Sequence, residues 1–161
     1  MLNLKRRLAV ARQDDGFTLI ELAVVILIIG ILLAVAIPTF LGVCKNAQNK
    51  AAQSSVRNAL TAAKAWASDG GTYTGLDPTI LQGEAPELTV QATTSTGPKI
   101  VGFNVASNTV MLVTMSQAGE CYYLRDNIDD TGVVASNQYA KVAAASGACS
   151  TATNVTWATK W

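Results

Sequence analysis

The spacing of apolar residues changes character twice along this chain. From Phe17 to Val43 it is apolar almost throughout, with Glu21 as the one charge, and from Leu22 to Ile37 only Ala, Val, Ile, Leu and Gly occur. As a helix this stretch is about 40 Å long at 1.5 Å per residue. That exceeds the roughly 30 Å hydrocarbon core of a bilayer, so the helix can cross one with some tilt. Lipid tolerates such a backbone only when its hydrogen bonds are satisfied internally. Pro38 lies inside the run; it removes one backbone hydrogen bond and crowds the preceding turn, so a bend or local melting is expected there.

Beyond Cys44 the apolar residues thin out but keep a helical period. Val43, Ala47, Ala51, Val56, Leu60, Ala63 and Ala67 recur among Lys45, Lys50, Arg57 and Lys64. This predicts an amphipathic continuation of the helix, with one face buried, stopping at Asp69-Gly70-Gly71. One helix from about 17 to 68 is expected. Residues 72–86, with Gly75, Pro78, Gly83 and Pro86, read as a connecting loop.

A period of two follows. Residues 87–94 (ELTVQATT), 99–106 (KIVGFNVA), 109–115 (TVMLVTM) and 120–125 (ECYYLR) read as strands. Only Ser107-Asn108 separates the second from the third, which favours a hairpin. An antiparallel sheet of three or four strands is expected, one face on the helix and the other partly wet. The tail from 133 is rich in small residues, and its AAASGACSTAT stretch reads as loop held by Cys149.

Charge changes the reading of the N-terminus. Lys5, Arg6, Arg7 and Arg12 precede the apolar run, Gly16 closes this polar head, and no small-residue cleavage site with a polar sequel ends the run. A secretory signal has the opposite arrangement at its end, so the apolar run is expected to be retained. The basic cluster places the head on the cytoplasmic side and the residues after the span outside.

Gly16-Phe17-Thr18-Leu19-Ile20-Glu21 and the apolar run that follows resemble the class III signal of type IV pilins and of type II secretion pseudopilins. The resemblance covers about the first 45 residues. It implies removal of residues 1–16 by a prepilin peptidase cutting after Gly16, and N-methylation of Phe17. It also implies a filament-core or transmembrane half-helix over 17–43 and an extracellular globular domain over 44–161. Glu21 and Pro38 match the family's assembly glutamate and kinking proline. Asp14-Asp15 departs from the basic leaders of many members. The order helix, loop, antiparallel strands, disulfide-closed tail is that of the α+β type IV pilin fold, and residues 121–126 (CYYLRD) are similar to prepilins of actinobacterial type.

The formal net charge is +1 and becomes −1 if residues 1–16 leave, so no strong field favours nucleic acid. The chain has no histidine, which excludes Ser-His-Asp and Cys-His catalysis and the usual zinc sites. No P-loop, dinucleotide fingerprint or metal-ligand cluster is present, so no cofactor and no enzymatic activity are expected. Of three cysteines, Cys44 sits at the membrane end of the helix. In an exported domain Cys121 is expected to pair with Cys149, the alternative being three reduced thiols. Cys44 reads as a small buried hydrophobe.

Glu21 carries the most information. A carboxylate within a span costs about 2.5–3.5 kcal/mol at the centre and less near an end, and no Lys or Arg shares its helix run. The resemblance supplies a partner, the freed α-amino group of Phe17 on a neighbouring subunit; the alternative is an interfacial Glu that stays wet. Asp126, Asp129 and Asp130 lack the ligand spacing of a calcium loop and read as a solvated turn. Asn154-Val155-Thr156 fits a glycosylation sequon. Trp157 reads as packing, and Trp161 is open between packing and display.

The chain is thus expected to be a pilus subunit. It inserts in the membrane, then polymerises head to tail into an extracellular helical filament. The resemblance implies further copies of itself, a prepilin peptidase, an assembly ATPase and a platform protein as partners. The alternatives are a major pseudopilin, a class that commonly lacks the C-terminal disulfide expected here, and a membrane-anchored binding domain that never polymerises.

Overall fold

A long helix and a run of strands account for most of the chain, as the two periods require. The computed structural model describes residues 16–128 and 134–161. Two compact units divide the chain at residues 41 and 42, and each is described by itself. In the first unit, helix α1 (Leu19–Gly70) begins directly after Thr18 and stays helical through Pro38. The local melting expected at the proline does not occur. Pro38 has no N–H for the Ala34 carbonyl, and one residue on the Thr39 hydroxyl donates to the Val35 carbonyl at 3.0 Å. Every residue from Gly16 to Val43 is exposed in the isolated chain.

In the second unit the rest of α1 buries a stripe of Ala52, Ser55, Val56, Ala59, Leu60, Ala62, Ala63 and Ala67. Val43, Ala47 and Ala51, expected on that stripe, are exposed. Full burial begins only at Ala52; Ala51 lies within about 20° of buried Ala62 around the helix, so its exposure marks where the covering residues stop along α1 and not a change of face. The helix ends at Gly70, and Gly71 takes the left-handed conformation (φ 67°) while donating to the Ala67 carbonyl at 2.7 Å. That is a C-terminal stop for which glycine is the favoured residue.

The segment expected to be pure loop contains a short helix, α2 (Pro78–Glu84). Asp77 caps it, its carboxylate accepting from the amides of Thr79 and Ile80 at 2.7 and 2.8 Å. Pro78 occupies the first helical position, where no N–H is needed.

The strands are β1 (Thr89–Ala92), β2 (Thr94–Ser95), β3 (Ile100–Ala106), β4 (Thr109–Met115), β5 (Glu120–Ile128), β6 (Val134–Ala143) and β7 (Cys149–Ser150). The main sheet has five strands in the order β1-β3-β4-β5-β6, not three or four; β2 and β7 form a small second sheet. The Ser107-Asn108 hairpin is present, with Ala106 opposite Thr109. The pair β1 and β3 is parallel, because the chain turns aside at Thr93 (φ 66°), passes through β2 and returns in the same direction. Where β2 crosses β3, a Cβ on Gly102 would lie 2.8 Å from the Thr94 carbonyl carbon and 2.7 Å from Val113 Cγ1. Only glycine fits that crossing.

One sheet face carries Val101, Phe103, Val110, Leu112, Leu124 and Ile128 and forms a single core with α1, Tyr73, Leu76 and Leu81. The other face was expected to be partly wet. It carries Val113, Cys121, Tyr123 and Ala140, and Cys149, Val155 and Trp157 from the tail lie against it. The tail is therefore a third layer, not free loop. The architecture is α+β and like that of type IV pilins, with a predominantly antiparallel sheet.

Candidate functional site

The first turn of α1 brings Phe17 and Glu21 onto one stretch of exposed surface. Thr18 is the N-cap residue. Its Oγ1 accepts from the Glu21 amide at 3.2 Å and donates to Glu21 Oε2 at 2.7 Å. The Thr18 amide donates to the same oxygen at 2.9 Å. This is a capping box, which satisfies amides that a helix start leaves orphaned. Phe17 is 83% exposed, and Phe17, Ile20, Glu21, Val24 and Val25 line a shallow apolar depression. A second depression, over Ala23, Ile26, Leu27, Gly30, Ile31 and Ala34, follows on the same helix. Small residues at such positions let another helix approach closely. Gly16 is exposed just ahead of the helix, and Pro38 is exposed on it. The polar head, from Lys5 to Asp15, lies outside the described residues.

This helix is long and apolar enough to cross a membrane, and its most apolar stretch is wholly unburied. The surface left uncovered includes Leu19, Ile20, Ile26, Leu27, Ile31 and Leu32, each at least 60% exposed. Monomeric soluble proteins rarely expose contiguous apolar patches larger than a few hundred Å².

In the second unit Cys121 and Cys149 are joined, with Cα atoms 5.6 Å apart, and both are buried. The bond fixes the tail to β5. Cys44 is a free thiol, half-buried. Trp157 packs on the outer sheet face, with the Arg125 guanidinium 4.4 Å from its ring centre. Trp161 also packs. It meets Tyr122 and Tyr139 edge to face, its Nε1 donates to the Ala140 carbonyl at 3.0 Å, and Arg57 lies 4.9 Å from its ring.

Asp126 is not part of a solvated turn. It points to the helix side of the sheet and is fully buried. The Tyr73 hydroxyl donates to its Oδ2. Lys64 Nζ stands 3.2 Å from its Oδ1, as an ion pair and not a well-directed hydrogen bond. Lys64 also donates to Asn137 Oδ1 at 3.2 Å. Burial, and then the neighbouring carboxylate, push the Tyr73 phenol far above its ordinary value. Sequence reasoning missed this network because its members are far apart in the chain; the one signal was an acid set between Leu124 and Ile128 in the alternation of β5. Asp129 and Asp130 lie outside the described residues, and no group of metal ligands occurs among the described ones.

Residues 11–37 match the family model described as the prokaryotic N-terminal methylation motif. Over 75 residues the chain is 40% identical to the type IV major pilin protein PilA of Myxococcus xanthus (strain DK1622). That alignment covers 47% of this chain and 33% of the relative, so the chain spans about a third of the curated protein it matches. No solved structure matches. The motif and the relative together support the resemblance to type IV pilins.

Proposed function

We propose, for a chain that carries the N-terminal methylation motif and resembles a type IV major pilin, that it is the structural subunit of a type IV pilus. Residues 1–16 serve as a leader cut after Gly16 by a prepilin peptidase, and Phe17 is then N-methylated. Residues 17–43 anchor the chain in the membrane, with the leader in the cytoplasm and residues 44–161 outside. The assembled product is an extracellular filament. Its machinery includes an assembly ATPase and a platform protein.

The observation that carries this reading is the exposed apolar helix headed by Gly16-Phe17 and holding one carboxylate, Glu21. A rod that is stable in lipid is also stable among copies of itself, so transfer between the two costs little. Close helix packing then needs a register, and a single buried charge pair supplies one. Glu21 meets the Phe17 α-amine of a neighbour, and Pro38 lets the rod adapt to the bundle. The role is mechanical, and no residue is assigned to catalysis.

N-terminal sequencing and mass analysis of protein sheared from cells test the reading. The expected result is a chain beginning at N-methylated Phe17. Sheared filaments whose subunits keep the initiating methionine, or protein found only uncut in the membrane fraction, overturn it.

A further inference from the structure

Asp126 poses a chemical question that filament building does not answer. It occupies an α1-facing position of β5 between Leu124 and Ile128, both buried apolar residues. A carboxylate there is costly unless closely paired. Its surroundings are an amine, a phenol and a carboxamide. Lys64 Nζ, on α1, is 3.2 Å from Asp126 Oδ1 and 3.2 Å from Asn137 Oδ1. Asp126 and Asn137 face each other directly across β5 and β6. Tyr73 holds the second oxygen of Asp126 and fixes its orientation.

We propose that Lys64 and Asn137 become joined by an amide bond, with Asp126 moving the protons. An amine that stands 3.2 Å from both a carboxamide oxygen and a buried carboxylate oxygen, the latter two borne by facing residues of paired strands, supplies the components of an intramolecular transamidation. Holding them on three packed elements makes the step effectively unimolecular. Asp126 first takes a proton from the Lys64 ammonium. The neutral Nζ adds to Asn137 Cγ, which lies one bond beyond the oxygen it already contacts. Asp126 then passes its proton to Asn137 Nδ2 and accepts the next one from Nζ. The Cγ–Nδ2 bond breaks, and both protons shed by Nζ depart on that nitrogen as ammonium. Asp126 ends as it began, and no oxidant, metal or cofactor is consumed. The Lys64 side chain is 32% exposed, which leaves the departing nitrogen a path to solvent.

The bond would tie α1 to the edge strand β6 across a sequence separation of 73 residues. It would resist pulling the helix off the sheet, and reductants that open Cys121–Cys149 would leave it intact. It stands independently of the pilus reading.

Mass spectrometry of the full-length chain, purified from membranes in detergent and then reduced and alkylated, decides the matter. The expected mass is that of the sequence as processed, less one ammonia. After trypsin, Lys64 and Asn137 should appear in one branched peptide, with no cleavage after Lys64. Lys64→Arg and Asn137→Ala should each restore the full mass. Wild-type chains at the full mass, or ammonia lost without the branched peptide, overturn the proposal and leave an ion pair. The wild-type measurement needs no variant to fold.

Discussion

Thr18 and Glu21 satisfy each other before any second subunit is present. Thr18 Oγ1 accepts from the Glu21 amide, and Glu21 Oε2 accepts from both the Thr18 amide and its hydroxyl. The carboxylate that the assembly reading needs therefore has a partner within its own chain. A neighbour's amine can approach it without first rescuing a stranded charge, since a carboxylate accepts several hydrogen bonds.

The two roles of Glu21 can be separated by substitution. A capping box accepts Glu or Gln at this position, so Glu21→Gln keeps the cap and removes the charge. Glu21→Ala removes both, and loss of such a cap costs about 1 kcal/mol. If the charge sets the register of the filament, both variants should insert in the membrane and yield at least about tenfold less sheared filament, the effect of losing ~1.4 kcal/mol per subunit. Immunoblots of sheared and membrane fractions report both quantities. Glu21→Gln filaments at wild-type yield would count against a charge-based register.

Gly102 sits where β2 crosses β3, and the space for a side chain is already occupied by Thr94 backbone and Val113 Cγ1. The Thr94 backbone cannot rotate out of the way as the end of a flexible side chain can. Gly102→Ala is therefore expected to lower stability by about 1–3 kcal/mol, the usual range for overpacking a filled interior. Gly97→Ala is the control, because its added Cβ meets only Ile100 Cδ1 at an ordinary 3.9 Å. Thermal unfolding of the purified chain in detergent should separate the two. Equal midpoints would mean that β2 can shift away from β3.

Strong local periods made α1, the hairpin at Ser107-Asn108 and the strands β3 to β5 legible in the sequence. The Gly16 to Glu21 motif was legible because its residues are contiguous. Strand β6 was not, since several of its residues are small or polar and its partner β5 supplies the bulk. Helix α2 left a readable trace in Asp77-Pro78, an N-cap followed by proline, which the surrounding glycines and prolines obscured. The parallel placement of β1 depends on the crossing at Gly102, and no period encodes that. The Lys64, Asp126, Tyr73 and Asn137 network joins positions up to 73 residues apart, so only the folded chain brings it together.

The Cys121–Cys149 bond holds the third layer, and its removal should act mainly on the unfolded chain. The sequence separation is 28 residues, for which loop-closure entropy gives about 3–4 kcal/mol. Cys149→Ser is expected to lose a large part of that and to expose Val113 and Tyr123 on the outer sheet face. The helix-facing core of Leu112, Leu124 and Phe103 should persist. Hydrogen exchange checks this: protection should fall in β2, β7 and the outer-face tail before it falls in β3 and β4. Uniform loss across the sheet would mean that the tail and the core unfold as one unit.

Tyr73 makes the stability of the second unit sensitive to alkali, with a definite sign. A tyrosine in the unfolded chain ionises near pH 10. Folded Tyr73 keeps its proton well beyond that, because it is buried and donates to the Asp126 carboxylate. Above about pH 10 the unfolded state therefore binds fewer protons than the folded one, and stability falls as pH rises. The contribution is fully present below pH 10 and is lost through the alkaline range, by at most about 1.4 kcal/mol per pH unit for one proton. Tyr73→Phe removes this titration. It also strips Asp126 Oδ2 of its donor, at about 1–3 kcal/mol near neutral pH. Denaturant midpoints from pH 7 to 11 should show the variant less stable at pH 7, with the gap to wild type narrowing above pH 10. Other groups that titrate in alkali are common to both chains and cancel in the difference. A gap constant across the whole range would mean that the phenol ionises alike in the folded and unfolded chains, and that its burial against Asp126 does not hold its proton.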